Sequence, residues 1–208
     1  MPKAYDRSYF DRWYRDPAKR VGSRAALRRK AAMAVAVAEH FLGRRVRTVL
    51  DVGCGEAAWR APIRALRPDV SYLGLDSSAY AVRRFGRSRN VRAGSFHQLA
   101  ALRFERPFDL VVCSDVLHYV PARELSRGLT GLAALCGGVA YLEVMTREDD
   151  PEGDLRGFLR RPAAWYRRRF SAGGFAACGP HLYLSPALAA SATALERAGA
   201  EDRRPPAR

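Results

Sequence analysis

The chain has 208 residues, a formal charge of +15, 48% hydrophobic residues and 27% charged ones. That length suits one α/β domain with a small appendage, and the composition is that of a globular protein, not a disordered or fibrous one. No apolar run approaches the roughly 20 residues of a membrane-spanning helix.

The positive charge is the usual footprint of an anionic partner such as RNA. Here it is nearly all arginine: lysine occurs only at positions 3, 19 and 30, in an alanine-rich chain. The arginines are scattered, which reads as codon bias more than as a binding stripe, so nucleic acid is not the favoured partner. Cys54, Cys113, Cys136 and Cys178 form no C-x-x-C pair. Reduced thiols are expected, with neither a disulfide frame nor a metal site. The first ten residues, MPKAYDRSYF, hold no signal-peptide core, so a cytoplasmic location is expected.

Residues 4–20 carry Tyr5, Tyr9 and Trp13 four apart, one face of a predicted helix that Asp16-Pro17 ends. Residues 24–42 form a second predicted helix, apolar at Leu27, Ala31, Ala34, Val35, Ala38 and Leu42.

Residues 46–58, VRTVLDVGCGEAA, run from a buried strand into a tight glycine turn and a helix start. Gly53 and Gly55 permit backbone angles that side chains forbid and let a ligand approach closely. Gly53, Gly55 and Ala58 also satisfy the dinucleotide fingerprint. Asp51 argues against that reading, because its carboxylate would face a pyrophosphate. The same carboxylate suits a ligand with an ammonium group. VLDVGCGEA resembles the first motif of the class I S-adenosylmethionine-dependent methyltransferases, with Ala57 where that family usually has a third glycine. The resemblance implies an N-terminal cap over the cofactor, with Tyr5, Tyr9 and Trp13 near the acceptor. Aromatic faces beside a sulfonium are physically sensible.

A helix is predicted over 57–66 and a second strand over 70–75. Asp76 stands at that strand's carboxyl end, about 25 residues after Asp51, where a Rossmann-like site holds a ribose diol. Ser77 follows it, and Ser77-Ser78 opens the next helix. A third strand over 90–94 leads to Ser95 and Phe96. The family commonly has an acid at the Ser95 position for the adenine amine; here a hydroxyl would contact the adenine edge and Phe96 would pack on its ring.

The apolar run 108–112 reads as a central parallel strand. FDLVVCSDVLHYVP, starting at Phe108, resembles the fourth motif of the same family. Beyond the strand's carboxyl end, Asp115 is assigned to the cofactor, and His118 to the acceptor as general base. No N/D/S-P-P-Y/F signature of nucleic-acid amino-methyltransferases stands there. A leucine-spaced helix over 124–136 is expected to end at Gly137-Gly138, and a fifth strand over 139–145 contains Glu143, an acid near a cleft and a candidate substrate contact. The acidic stretch 146–161 corresponds to where the family inserts substrate-recognition elements. Predicted elements continue with a helix over 162–172, strands over 175–178 and 181–185, a helix over 186–198 and a disordered tail over 201–208.

The resemblance implies a Rossmann-like α/β fold: a seven-stranded, mostly parallel sheet with helices on both faces and an antiparallel last strand. Residues 1–45 would form the cap, 46–186 the S-adenosylmethionine-binding core, and 187–208 a final helix and tail. It implies transfer of a methyl group from S-adenosyl-L-methionine, leaving S-adenosyl-L-homocysteine, to a hydroxyl or amine of a small molecule, by a monomer or homodimer. The alternatives are an RNA or protein methyltransferase using the basic surface, and a non-catalytic S-adenosylmethionine-binding partner protein.

Overall fold

The β-branched and apolar runs of the sequence become seven strands: β1 (Thr48–Val52), β2 (Ser71–Asp76), β3 (Val91–Ala93), β4 (Phe108–Ser114), β5 (Cys136–Glu143), β6 (Ala176–Gly179) and β7 (Leu182–Leu184). The computed structural model describes residues 5–19, 21–151 and 153–198; the predicted tail over 201–208 lies outside them. The strands form one sheet in the order β3-β2-β1-β4-β5-β7-β6. The first five are parallel, and β7 runs antiparallel between β5 and β6. Strand order reverses between β1 and β4, and ligands of open α/β sheets sit beyond the carboxyl ends at such a switch point.

Seven α-helices accompany the sheet: α1 (Arg7–Phe10), α2 (Arg24–Leu42), α3 (Arg60–Leu66), α4 (Ala79–Arg89), α5 (Ala122–Leu135), α6 (Ala163–Ala172) and α7 (Pro186–Ser191). Side chains alternate across each strand. Leu50, Val111 and Leu142 therefore pack with Leu125, Leu129 and Leu132 of α5 and with Tyr166 and Phe170 of α6. Val49, Leu110 and Tyr141 pack on the other face with Ala31, Ala34, Val35 and Ala38 of α2 and Ile63 of α3. Helices thus cover both faces. Each fully buried leucine of the α5 stripe contributes about 1.5–3 kcal/mol.

Three boundaries differ from the predicted ones for local reasons. Ala57 takes a left-handed backbone, φ 56°, so the chain makes an extra turn and α3 starts only at Arg60. Gly137 and Gly138 do not cap α5 but begin β5. A Cβ on Gly138 would come 2.0 Å from the Asp109 carbonyl oxygen, so glycine there serves close strand approach. The last predicted helix stops at Ser191, and a 3-10 turn follows over Ala194–Glu196.

Candidate active site

The turn after β1 is built by its two glycines, with φ of 70° at Gly53 and 52° at Gly55. The backbone N–H groups of Gly53 and Cys54 both donate to the Leu75 carbonyl, at 2.8 and 3.1 Å, which ties the turn to the end of β2. Asp76 completes the tie. One carboxylate oxygen accepts the Gly55 N–H at 2.6 Å, and the other accepts the Ser78 N–H at 2.7 Å. Each oxygen keeps a second lone-pair direction for another donor. Burial pushes the Asp76 carboxyl up, against the pull of these two N–H groups. Asp51 lies inside the same bend, 2% exposed, and accepts the Tyr72 hydroxyl. Burial pushes it up to about 7; the Tyr72 bond opposes the shift and the nearby Asp76 charge adds to it.

The bend opens into a cleft of about 1160 Å³. That is large for a single drug-sized ligand and roomy enough for a cofactor beside an acceptor. Its lining brings together Tyr5, Tyr9, Asp51, Gly53, Gly55, Asp76, Ser77, Ser95, Phe96, Asp115 and Glu143, eleven residues singled out in the sequence. Ser95 lines the cleft, its hydroxyl bonded to Gln98 at 2.9 Å and beside His97.

Three sequence-derived roles need correction. His118 does not line the cleft. The 3-10 turn Leu117–Tyr119 folds it into the core at 2% exposure, with its ring on Tyr119 and Phe158. Its Nδ1 accepts the Met145 N–H at 3.4 Å, so the ring fastens the loop after β5. A base must reach the proton it removes, and at 2% exposure this ring presents almost no surface to an acceptor. Tyr119, one residue later, faces the cleft instead. Phe96 contributes to the wall, but its ring sits against α5, where a Cβ on Gly128 would come 2.2 Å from it. It is a core residue, not a free face for adenine.

Trp13 is also absent from the lining. After α1 the backbone widens into a π-turn over Asp11–Arg15. More residues per turn shift the face by one position, so Phe10 and Tyr14 join Tyr5 and Tyr9 on the cleft side. A Cβ on Gly55 would meet Phe10 at 3.1 Å and the Tyr14 hydroxyl at 3.6 Å. The N-terminal segment therefore lies directly on the glycine turn. It is held there by an Arg15–Glu56 ion pair, by the Ser78 hydroxyl donating to the Tyr5 carbonyl at 2.5 Å, and by Phe10 against Tyr80 at 5.5 Å.

The far end of the cleft carries Ser114, Asp115, Tyr119, Glu143 and Lys30. Glu143 receives both Lys30 and the Ser114 hydroxyl. Burial alone would raise its carboxyl, but these two donors outweigh that and hold it below the usual range. Asp115 is exposed to the cleft, yet the loss of surrounding water pushes its carboxyl up to about 6, aided by the Glu143 charge and opposed by Lys30. Lys30, Tyr119, Phe10 and Tyr14 carried no site signal in the sequence. Lys30 sits in a basic run, and the aromatics follow a register that only the π-turn reveals.

Comparison with known proteins fits this geometry. Residues 50–138 match the family model described as "Methyltransferase domain". No curated protein matches the chain. Among solved structures, it is similar to an O-methyltransferase family protein from Burkholderia thailandensis, at 19% identity and a TM-score of 0.50 over 77% of this chain and 56% of that one. It is similar to the O-methyltransferase NcsB1 of neocarzinostatin biosynthesis, solved with S-adenosyl-L-homocysteine and 1,4-dihydroxy-2-naphthoic acid, at 21% and 0.50 over 77% and 54%. It is also similar to magnesium protoporphyrin IX methyltransferase from Synechocystis PCC 6803, with bound S-adenosyl-L-homocysteine, at 16% and 0.55 over 86% and 94%. The chain spans little more than half the length of the first two, and at these identities the likeness is one of fold.

Proposed function

We propose that this chain, whose residues 50–138 match a methyltransferase domain, is a class I S-adenosylmethionine-dependent methyltransferase and that it transfers a methyl group from S-adenosylmethionine to a hydroxyl or amine of a small molecule. The observation that carries this reading is the bond from Gly55 to Asp76, which makes the glycine turn and the distal acid two walls of one cradle. The cradle fits the donor's chemistry. Asp51 offers a carboxylate to the ammonium of the amino-acid tail, Asp76 offers free lone pairs to the ribose diol, and Ser77 and Ser95 stand along the nucleoside side. Bound there, S-adenosylmethionine supplies an electrophilic methyl carbon on its sulfonium.

The remaining work is positioning. Phe10 and Tyr14 of the N-terminal segment lie over the turn and would shield the methyl group from water. Holding the acceptor in line with the methyl carbon supplies much of the acceleration without further chemistry. A cleft roofed by this segment suits a small acceptor better than a folded macromolecule, and the fold neighbour solved with 1,4-dihydroxy-2-naphthoic acid gives one such precedent. No described helix is long and apolar enough to cross a membrane. Incubation with methyl-labelled S-adenosylmethionine and mixed small hydroxyl and amine acceptors tests the proposal. Label in a small product supports it, whereas label only in RNA or protein offered alongside would replace it with a macromolecular acceptor.

A further inference from the structure

The acceptor end of the cleft contains one carboxylate that the fold does not use. Glu143 is satisfied, since Lys30 and the Ser114 hydroxyl, at 2.6 Å, occupy its two oxygens. Among the described residues, the Asp115 carboxylate has as hydrogen-bond partner only that same Ser114 hydroxyl, at 3.5 Å, too long for a strong bond and already committed to Glu143. Its backbone is left-handed, φ 60°, and is fixed by its N–H donating to the Glu143 carbonyl at 3.1 Å. The next residue, Val116, abuts the glycine turn, where a Cβ on Gly53 would come 2.3 Å from it. Asp115 therefore stands where the cofactor half of the cleft meets the acceptor half.

Its surroundings favour a cation. Tyr14 and Tyr119 line the same space close enough to feel the Asp115 charge, and burial pushes both phenols up, so they remain neutral rings; the Tyr119 hydroxyl donates to the Asp154 carbonyl at 2.6 Å. A carboxylate among neutral aromatic faces is a setting that holds ammonium groups. Lys30 makes its hydrogen bond to Glu143 and reaches Asp115 through its charge alone, and the lining residues Arg24 and Arg28 are exposed.

We infer that the acceptor is an amine, bound as its ammonium ion by Asp115 between the tyrosines, and that Asp115 takes the proton the amine must lose. This rests on the methyltransferase reading above and narrows it from hydroxyl or amine to amine. The ammonium gives one proton to Asp115, which frees the nitrogen lone pair. That pair forms the new N–C bond to the methyl carbon as the C–S bond breaks and its electrons return to sulfur. The proton then leaves Asp115 for solvent.

Three probes of one shape but different charge test the inference: phenethylamine, 2-phenylethanol and phenylacetate, titrated into the full chain saturated with S-adenosyl-L-homocysteine. The amine is expected to bind at least tenfold more tightly than the alcohol, with phenylacetate weakest. Asp115→Asn is expected to remove the amine's advantage. Asparagine tolerates a left-handed backbone as aspartate does, so this variant keeps the loop. Equal binding of the three probes, tightest binding of phenylacetate, or an amine preference that survives Asp115→Asn would overturn the inference. A tenfold loss of S-adenosyl-L-homocysteine affinity in Asp115→Asn would also overturn it, by assigning Asp115 to the cofactor. Failure of the parent chain to bind S-adenosyl-L-homocysteine at all would overturn the methyltransferase reading, a result readable before any amine is added.

Discussion

The proposed pairing of Asp51 with the cofactor's ammonium makes affinity depend on pH in a defined way. Its carboxyl is buried and pushed up to about 7, so near pH 6 it is mostly protonated in the cofactor-free protein. The incoming ammonium pairs only with the charged form. Binding must therefore displace a proton at low pH, and affinity rises as pH climbs through about 7. With one pKa unit worth about 1.4 kcal/mol, a carboxyl at 7 is roughly one tenth ionised at pH 6 and about three quarters ionised at pH 7.5, which predicts roughly an eightfold gain in affinity. An ordinary α-amino group titrates at about 7.7–8.0 and so stays mostly charged across this window. Asp115, raised to about 6, and Asp76 and Glu56, both pushed up by burial, line the same cleft. Comparison with Asp51→Asn isolates the Asp51 contribution. Calorimetry in buffers of different ionisation enthalpy measures both the affinity and the proton released. Asp51→Asn is expected to bind more weakly at pH 7.5 and to lose most of the slope. A parent affinity that is flat between pH 6 and 7.5, or a slope that persists in Asp51→Asn, would refute the pairing of Asp51 with the ammonium.

Gly53→Ala places a Cβ 2.3 Å from Val116 at a φ of 70°. Left-handed strain of about 1–2 kcal/mol and overpacking of about 1–3 kcal/mol predict a loss of ~2–5 kcal/mol in urea unfolding, and a loss under 0.5 kcal/mol would contradict the tight turn. His118→Gln is expected to lower stability by about 1–3 kcal/mol, because a buried ring and its bond to Met145 are lost, while the pH profile of methyl transfer keeps its shape. Disappearance of a titrating limb in that variant would restore His118 as a base.

The cofactor half was legible in the sequence because backbone chemistry dictates it. An acid, two glycines at fixed spacing and a second acid at the next strand end leave few alternatives, and Asp51, Gly53, Gly55 and Asp76 meet in one bend. The acceptor half was less legible, because it depends on turns that periodicity does not encode. The left-handed Asp115 and the 3-10 turn after it rotate His118 into the core and Tyr119 outward. The π-turn takes Trp13 off the cleft lining, without burying it, and brings Tyr14 onto it. Phe96 was misread because its partner, Gly128, is remote in sequence, and a glycine inside a helix gives no sign of the ring it admits.

The central claim is that the glycine turn and Asp76 together form the seat of S-adenosylmethionine. Calorimetric titration of S-adenosyl-L-homocysteine into the parent chain and into Asp76→Ala measures it most directly. One site per chain is predicted for the parent, with affinity at least tenfold weaker in the variant, since two charge-assisted contacts to the diol are removed at about 1.5–3 kcal/mol each. Equal affinity in the two proteins, or no binding by the parent, would contradict the claim.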